Sequence, residues 1–214
     1  MEKGLFIVLE GVEGAGKSTQ ARLLAGWLEG LGLPFTLARE PGGTPVGEAI
    51  RGIVLDRDGL RMPPETELFL ILGARAAFVD GVVRPALGDG RIVLADRFDF
   101  STFAYQGYGR GLDLARVKDA NDMATGGLVP DLYLILDLPV EVGVGRKGGV
   151  EAGDRIEQEG TTFLSRVRAG YQALANESPL ACVVDADATV EEVQSALRNI
   201  LEERFPETFP TQGV

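Results

Sequence analysis

Residues 11–18 read Gly11-Val12-Glu13-Gly14-Ala15-Gly16-Lys17-Ser18 and match every fixed position of the phosphate-binding loop G-x-x-x-x-G-K-[ST]. An apolar stretch, Leu5–Leu9, precedes the loop, and a segment of helical periodicity follows it, as this motif requires. Glycines let successive backbone N–H groups point inward at an anion, and the following helix adds its positive dipole end. The motif therefore predicts an ATP site over residues 11–19, ending at Thr19, with Lys17 at the β- and γ-phosphates and Ser18 on Mg²⁺.

The rest of the chain alternates short apolar runs with longer segments of helical periodicity, which is typical of βα units around a mostly parallel sheet. The runs lack period-2 alternation, as expected for strands that helices cover on both faces. Strands are predicted at Leu5–Leu9, Phe35–Ala38, Ile92–Ala95, Leu132–Leu136 and Ala181–Val184. Helices are predicted at Lys17–Glu29, Thr44–Leu55, Glu65–Leu87, Leu112–Ala124, Glu159–Ala175 and Thr189–Glu203. The sequence thus predicts an α/β fold, and its length predicts a single domain over residues 1–214.

The composition excludes several classes of function. With 32 acidic and 21 basic residues the formal charge is −11, and a field of that sign repels nucleic-acid polymers and anionic membranes. Histidine is absent, so neither a Ser-His-Asp triad nor a histidine-bearing zinc site can form. The single cysteine, Cys182, allows no internal disulfide and fits a reducing compartment. The first apolar run is interrupted at Glu10, which is too early for a signal sequence or a membrane span, and a cytoplasmic protein is expected.

Two segments rich in glycine or proline are predicted to be loops. The first is Glu40-Pro41-Gly42-Gly43-Thr44-Pro45. The second runs from Gly143 to Gly153, and we interpret residues 143–155 as a short mobile lid, although a surface insert has the same composition. The tail from Phe205 to Val214 carries two prolines and is expected to be irregular.

A second element fits a nucleotide site, because the apolar run Ile92–Ala95 ends in Asp96-Arg97. The carboxyl end of a buried strand is where a Walker-B-type aspartate ligates Mg²⁺. Asp137, which follows another apolar run, competes for this role, and either aspartate could instead cap the next helix. The predicted metal ligands are Ser18 and Asp96.

The arginines indicate how the nucleotide is used. The N-K-x-D guanine reader of GTPases and the L-S-G-G-Q segment of transporter ATPases are absent from the sequence. Arginine outnumbers lysine 17 to 4, and guanidinium groups grip phosphates through paired, fork-shaped contacts. Those near predicted strand ends or the lid are Arg39, Arg51, Arg75, Arg97, Arg146 and Arg155. Beside a P-loop they suggest phosphoryl transfer between two phosphate-bearing ligands, which depends on positioning and charge and needs no histidine.

At these residues the chain resembles the thymidylate kinase family. The segments that carry the resemblance are Phe6-Ile7-Val8-Leu9-Glu10-Gly11 with the P-loop, Arg39-Glu40-Pro41-Gly42-Gly43-Thr44, Asp96-Arg97-Phe98, Ser101-Thr102-Phe103-Ala104-Tyr105-Gln106-Gly107, Pro130-Asp131-Leu132 and Asp154-Arg155-Ile156-Glu157. Their order and spacing together are highly specific. The resemblance implies a three-layer P-loop fold with a five-stranded parallel sheet, a homodimer, and transfer of the ATP γ-phosphate to dTMP with Mg²⁺, in dTTP biosynthesis.

Carried over position by position, the resemblance implies how the phosphate and the sugar of dTMP are held. Arg97, helped by Arg39 or Arg51, holds the monophosphate. Glu13 faces the sugar 3′-hydroxyl, and a carboxylate is suited to accept a hydrogen bond from it. Glu40 lies near the acceptor nucleotide.

The resemblance also implies a base site. Arg75 donates to the thymine carbonyl edge, and Thr102 and Gln106 complete base recognition. Tyr105 walls the sugar at its 2′ carbon and so disfavours ribonucleotides. Family members commonly stack a phenylalanine on the base one helical turn before the arginine, whereas this chain has Ile71 there.

The family supplies a catalytic arginine either from the P-loop or from the lid. Glycine follows Glu13, so the lid type is implied, with Arg155 and Arg146 as catalytic candidates beside Lys17 and Arg97. Two other functions stay open on the sequence: a related nucleoside monophosphate kinase with altered base preference, which only Ile71 favours, and a catalytically silent nucleotide-binding module.

Overall fold

The computed structural model describes residues 4–56, 61–149 and 154–209. Within these ranges one sheet contains five parallel strands: β1 (Phe6–Gly11), β2 (Phe35–Arg39), β3 (Ile92–Asp96), β4 (Leu132–Asp137) and β5 (Ala181–Asp185). Their order across the sheet is β2-β3-β1-β4-β5. The predicted five-stranded parallel sheet is therefore confirmed, with every strand end within two residues of its predicted position.

Helices flank the sheet. The α-helices in the described ranges are α1 (Lys17–Gly30), α2 (Pro45–Val54), α3 (Pro64–Phe78), α4 (Arg84–Gly88), α5 (Asp99–Thr102), α6 (Leu114–Thr125), α7 (Val140–Arg146), α8 (Thr161–Glu177) and α9 (Val190–Arg204). Several have clear start signals, such as the capping box of Thr189 and Glu192 at the start of α9. None of the helices in the described ranges is long and apolar enough to cross a membrane.

The position of β1 in the sheet determines where the site lies. All six residues of β1 are buried, because β3 and β4 pair with it on either side. At Gly11, where the strand meets the P-loop, a Cβ atom would come within 2.3 Å of the Leu136 carbonyl oxygen, so only glycine fits. The carboxyl ends of β1, β3 and β4 thus lie side by side, which is where open parallel sheets bind ligands.

The predicted helix over Glu65–Leu87 differs in detail from the structure. The helical path runs from Pro64 to Gly88, but residues Val79–Val83 form a wider π-helical segment between α3 and α4. Pro85 explains the break in regular geometry: it has no N–H to donate to the preceding turn, and its ring crowds that turn.

The predicted loop from Gly143 to Gly153 is wrong over residues 143–146, which form the end of α7. Glycine serves close packing here, because a Cβ atom on Gly143 would lie 2.5 Å from the Glu13 carbonyl oxygen. Residues 147 and 148 form a turn, and residues 150–153 of the predicted lid lie outside the described residues.

Two other segments also differ from a simple sequence interpretation. Residues 99–109, for which no helix was predicted, are helical as α5 and a π-helical continuation over Phe103–Gly109. The tail is irregular over residues 205–209 as expected, yet Phe209 is fully buried and stacks on Trp27 with ring centroids 5.4 Å apart. Residues 210–214 lie outside the described residues.

Candidate active site

The P-loop joins β1 to α1 at the carboxyl edge of the sheet and forms one wall of a cavity, which we call the P-loop cavity. Its lining residues are Glu13, Gly14, Gly16, Lys17, Ser18, Thr19, Arg39, Glu40, Arg51, Asp96, Arg97, Arg146 and Lys147. Three residues of the predicted ATP site, Gly11, Val12 and Ala15, are buried and do not belong to this lining.

The ammonium group of Lys17 lies inside the P-loop. Its Nζ donates to the carbonyl oxygens of Gly11 at 3.0 Å and Val12 at 2.8 Å, and the side chain is only 6% exposed. Burial lowers the pKa of Lys17, and the neighbouring Arg97 lowers it further, while Glu13 acts in the opposite direction. An anion in the cavity would relieve this cost, because it would supply the charge that favours the protonated lysine.

The structure brings the two predicted metal ligands together. Ser18 Oγ donates to Asp96 Oδ2 at 2.7 Å, and both residues line the P-loop cavity. The competing carboxylate, Asp137, instead accepts two hydrogen bonds from Arg168, at 2.7 and 2.8 Å. Hydrogen bonds from Arg168 keep the pKa of Asp137 below its ordinary value, so its contacts are those of an ion pair with α8.

Arg97 adopts a backbone conformation that is rare for a residue with a side chain. Its φ angle is 76°, in the left-handed region, which carries a strain that persists only where surrounding contacts fix it. Its guanidinium group hydrogen-bonds to Gly11 O, Ser101 Oγ, Tyr171 OH, Tyr105 OH and Glu13 Oε2, at distances between 2.5 and 3.3 Å. The strained backbone therefore aims a cation at the boundary between β1 and the P-loop.

Glu13 is the point where the cations of the site converge. Its carboxylate lies 2.5 Å from Arg97 Nη2, 3.1 Å from Lys147 Nζ and 3.8 Å from Lys17 Nζ. Glu13 also lines both the P-loop cavity and a second cavity next to it. The ion pair between Glu13 and Arg97 thus lies at the boundary between the two cavities.

The second cavity, which we call the Arg75 cavity, gathers most of the predicted acceptor-binding residues. Its lining residues are Glu13, Glu40, Pro41, Arg51, Leu55, Ile71, Arg75, Arg97, Ser101, Thr102, Tyr105, Gln106, Asp154 and Ile156. Ile71 and Arg75 both belong to it, as expected for side chains one helical turn apart on α3. Phe69, which could have supplied an aromatic ring, is 66% exposed and does not line the cavity.

Arg75 donates four hydrogen bonds within the protein and forms an ion pair with Glu40. Nε donates to Glu40 Oε2 at 2.8 Å, and Nη2 donates to Phe98 O at 2.8 Å and lies 2.7 Å from Glu40 Oε2 in an ion pair. Nη1 donates to Thr102 Oγ1 at 2.7 Å and to Asn121 Oδ1 at 2.9 Å. The predicted donation from Arg75 to a thymine carbonyl would therefore compete with the ion pair to Glu40 or replace one of these hydrogen bonds.

Glu40 is buried at the junction of the two cavities. Its Oε2 pairs with Arg75, while its Oε1 has no hydrogen-bond partner among the described residues. Burial raises the pKa of Glu40, and the ion pair with Arg75 only partly offsets that effect. A buried carboxylate oxygen in this position is able to accept a hydrogen bond from a ligand hydroxyl.

The two arginines predicted to assist Arg97 occupy different places. Arg51 lines both cavities and donates from Nη1 to Pro41 O at 3.0 Å. Of these two cavities Arg39 lines only the P-loop cavity; its side chain is more than half exposed and pairs with Glu48 at 3.2 Å. The geometry therefore favours Arg51 over Arg39 as the partner of Arg97 at an acceptor phosphate.

The predicted lid cations are separated in this structure. Arg146 lines the P-loop cavity and donates to Ala186 O at 3.1 Å. Arg155 lines neither cavity and is held by the carbonyl oxygen of Val54 and the carboxylate of Glu67. Lys147, which was not among the predicted site residues, lies next to Arg146 in the lining and contacts Glu13.

Several residues that support the site were missed by the sequence interpretation. Glu10 is fully buried and accepts hydrogen bonds from the Phe98 and Ser101 N–H groups and from the hydroxyls of Ser101 and Tyr171. A charged residue at the end of an apolar strand was a visible signal for Glu10. Tyr171, Asn121 and Glu67 carried no such signal, because they lie on helices of mixed composition far away in the chain.

A buried acid–phenol pair interacts electrostatically with Arg75. Tyr133 OH on β4 donates to Asp99, at 2.9 Å from Oδ1 and 3.1 Å from Oδ2, and both residues are buried. Burial raises the pKa of Asp99 from 3.8 to about 7. Asp99 is thus a carboxyl group that titrates near neutral pH in the folded protein.

These features together define a class of protein. A parallel sheet with a P-loop on its central strand, a serine–aspartate pair at the loop and a second, arginine-walled cavity alongside are the features of a P-loop kinase.

Comparisons with known proteins identify the family within this class. The family model for thymidylate kinase matches residues 9–197. The thymidylate kinase of Pseudomonas fluorescens is 48% identical over 92% of this chain and 95% of that protein, and that of Symbiobacterium thermophilum is 44% identical over 98% of both. The crystal structure of the Ehrlichia chaffeensis thymidylate kinase superposes with a TM-score of 0.76 at 29% identity, covering 93% of this chain and 99% of that chain. The chain belongs to the thymidylate kinase family.

Ile71 generates a first prediction. Replacing Ile71 by phenylalanine adds an aromatic face to the Arg75 cavity, and stacking of a base on an aromatic ring contributes about 1–3 kcal/mol. We expect the KM for dTMP to fall several-fold in Ile71→Phe, measured by steady-state kinetics. Ile71→Leu is the matched control, because it changes the shape of the side chain without adding a ring. An unchanged or higher KM in Ile71→Phe would refute the stacking argument.

Asp99 generates a second prediction, on pH. Between about pH 4 and 7 the folded protein keeps a proton on Asp99 that the unfolded chain has lost, so this group's contribution to stability falls as pH rises through that window. Asp99→Asn removes the titration. We expect the stability of Asp99→Asn relative to the wild type to rise by at least about 1 kcal/mol between pH 5 and 8, since one pKa unit is about 1.4 kcal/mol. Urea unfolding of both proteins across this range measures it, and parallel pH profiles would contradict it.

Proposed function

We propose that this chain transfers the γ-phosphate of ATP to dTMP, with Mg²⁺, and that the product dTDP serves dTTP synthesis. The observation that carries the proposal is the contact of the P-loop cavity and the Arg75 cavity at Glu13 and Arg97, which lets a donor phosphate and an acceptor phosphate meet. Membership of the thymidylate kinase family supports dTMP as the acceptor.

The ATP phosphates bind in the P-loop cavity. Backbone N–H groups of residues 11–19 and the N-terminus of α1 face the phosphates, and Lys17 exchanges its carbonyl partners for phosphate oxygens. The desolvation of Lys17 strengthens this exchange, because a buried cation gains more from a nearby anion than an exposed one does.

Ser18 and Asp96 would hold Mg²⁺. Their oxygens are 2.7 Å apart at the mouth of the loop, and an oxygen donor set of one or two protein ligands completed by phosphates is what Mg²⁺ prefers. When bound, the ion supplies charge neutralisation of the phosphates.

The acceptor nucleotide binds in the Arg75 cavity. Arg97, with Arg51 as the nearer helper and Arg39 on the outer side, holds the monophosphate beside the P-loop. Glu13 and Glu40 offer carboxylate oxygens to the sugar and the acceptor end of the nucleotide.

The base and the sugar contact the remaining wall of the Arg75 cavity. Ile71 packs against the base, and Thr102 and Gln106 hydrogen-bond to it, with Arg75 behind them. Tyr105, whose hydroxyl bonds to Arg97, borders the sugar at its 2′ carbon.

The cations that neutralise the transferring phosphoryl group are Lys17, Arg97 and those of the segment over residues 143–155, which we propose acts as a lid. Arg146 already lines the P-loop cavity, and Arg155 would have to leave Glu67 to reach it. Lys147 adds a cation that contacts Glu13. Catalysis by such groups is electrostatic, since they neutralise charge that is spread over the transferred group.

We further propose a single domain over residues 1–214, a homodimer and a cytoplasmic location. The family model, which matches residues 9–197, supports the single domain, the dimer is what the resemblance to the family implies, and the single free cysteine, Cys182, fits a reducing compartment. Sedimentation of the purified protein would test the dimer.

The activity itself is tested by ADP release with ATP, Mg²⁺ and one acceptor at a time: dTMP, dUMP, dCMP, dGMP or UMP. We expect the highest kcat/KM with dTMP. ADP release that does not depend on any acceptor would contradict the proposal, and a different preferred acceptor would correct the base assignment.

A variant tests the P-loop assignment within the same assay. Lys17→Ala should lower kcat by about 100-fold or more, because removing one pre-organised donor to a transition-state charge typically costs this much. Circular dichroism should show an unchanged fold. Lys118→Ala is the matched control: Lys118 pairs with Glu177 on the surface and lines neither cavity, so its activity should equal the wild type. Full activity in Lys17→Ala would overturn the site.

A further inference from the structure

Glu67 does not line the Arg75 cavity but is hydrogen-bonded to a residue that does. It lies on α3, its carboxylate is only 1% exposed, and its Oε1 accepts a hydrogen bond from Gln106 Nε2 at 2.8 Å. Gln106, in contrast, belongs to the lining of the cavity. The hydrogen bond to Gln106 therefore links the Glu67 carboxylate directly to a side chain of the cavity lining.

The carboxylate of Glu67 is surrounded by N–H donors. Arg110 donates from Nε to Oε1 at 3.1 Å and from Nη2 to Oε2 at 2.9 Å, and Arg155 donates from Nη2 to Oε2. Burial alone would raise the pKa of Glu67, but hydrogen bonds from Arg110, Gln106 and Arg155 outweigh it and lower the pKa below its ordinary value. Glu67 is thus ionised at neutral pH, and an ionised carboxylate accepts hydrogen bonds but cannot donate them.

Because the Glu67 carboxylate can only accept hydrogen bonds, it determines which end of the Gln106 side-chain amide faces it. The side-chain amide has a donor end, NH₂, and an acceptor end, the carbonyl oxygen. The NH₂ end faces Glu67, so the carbonyl oxygen is the end that Gln106 keeps for a ligand. Thr102, on the same wall, already accepts from Arg75 through its hydroxyl oxygen and keeps its own hydrogen to donate.

This arrangement of a hydroxyl donor and an amide acceptor complements thymine but not cytosine. Thymine presents a carbonyl oxygen at C4, which accepts, beside N3–H, which donates. Cytosine presents an amino group at C4, which donates, beside a bare N3, which accepts. A wall with a hydroxyl donor and a fixed amide acceptor can pair with the first edge, whereas against the second it leaves buried polar groups unpaired, which is costly.

We propose that Glu67 is a positioning residue that makes the Arg75 cavity select thymine over cytosine, by holding the amide of Gln106 with its carbonyl oxygen available to the base. The proposal rests on the proposed function, since it assumes that the base of the acceptor occupies this cavity. Glu67 has no proposed role in recognising the 5-methyl group, so uracil, which has the same C4 carbonyl and N3–H as thymine, should be accepted equally well.

The test compares KM for dTMP with Ki for dCMP as a competitor of dTMP, in the wild type and in Glu67→Gln. The glutamine can turn either end toward Gln106, which frees the Gln106 amide to rotate and to pair with cytosine. We expect the ratio of Ki for dCMP to KM for dTMP to fall about tenfold or more, with kcat less affected, since one mispaired hydrogen bond is worth about 1.4 kcal/mol, or tenfold. An unchanged ratio would overturn the proposal.

Two more variants separate polarity from packing. Glu159→Gln removes a different carboxylate, which also bonds to Arg110 but lines neither cavity, and it should leave the ratio unchanged. Glu67→Asp keeps a carboxylate and should keep the preference for dTMP even if KM rises, which makes it decisive where Glu67→Gln does not fold. Loss of the preference in Glu67→Asp, or an equal loss in Glu159→Gln, would mean that Glu67 acts only through packing.

Failure of this proposal differs from failure of the proposed function. If the wild type releases ADP with dTMP and Glu67→Gln keeps the wild-type ratio, the function stands and the role of Glu67 is wrong. If the wild type does not use dTMP at all, the function is wrong and the role of Glu67 falls with it.

Discussion

The contact between Glu13 and Arg97 is the constraint on which the site depends. Glu13 is part of the P-loop, and Arg97 directly follows β3, so their ion pair joins the two strand ends that carry the site. The left-handed backbone of Arg97 is what points its guanidinium group back toward β1. Because both residues line both cavities, any change that moves one of them alters the two binding sites together.

The same principle of paired charges explains how a chain with a net charge of −11 can take up anionic ligands. The main cations of the site form ion pairs with carboxylates. Lys17 and Arg97 pair with Glu13, Arg75 pairs with Glu40, and Arg39 pairs with Glu48. A phosphate entering the site competes with a carboxylate for a cation that is already in place, so little side-chain ordering remains to be done. Buried pairs such as Arg75 with Glu40 keep their geometry because leaving either charge alone would be costly.

Most of the architecture could be predicted from local patterns, and the supporting contacts could not. The P-loop motif and the five apolar runs predict the sheet, because buried parallel strands have a strong apolar signature. Ser18 and Asp96 meet, as the P-loop motif and the position of Asp96 at the end of β3 suggested. The role of Glu67 could not be predicted, since its partners Gln106, Arg110 and Arg155 lie far from α3 in the sequence and only the folded chain brings them together. Glycines misled the lid prediction, because Gly143 permits close packing in α7 and does not mark a turn.

The close approach of Gly14 and Gly143 links two parts of the molecule that the sequence separates widely. A Cβ atom on Gly14 would lie 2.3 Å from the Gly143 carbonyl oxygen, and Gly14 has a φ of +76° that disfavours a side chain in any case. Any side chain at position 14 would therefore collide with the backbone of α7. Where α7 packs on the P-loop in this way, an arginine at position 14 would need both a different loop backbone and a different position of α7.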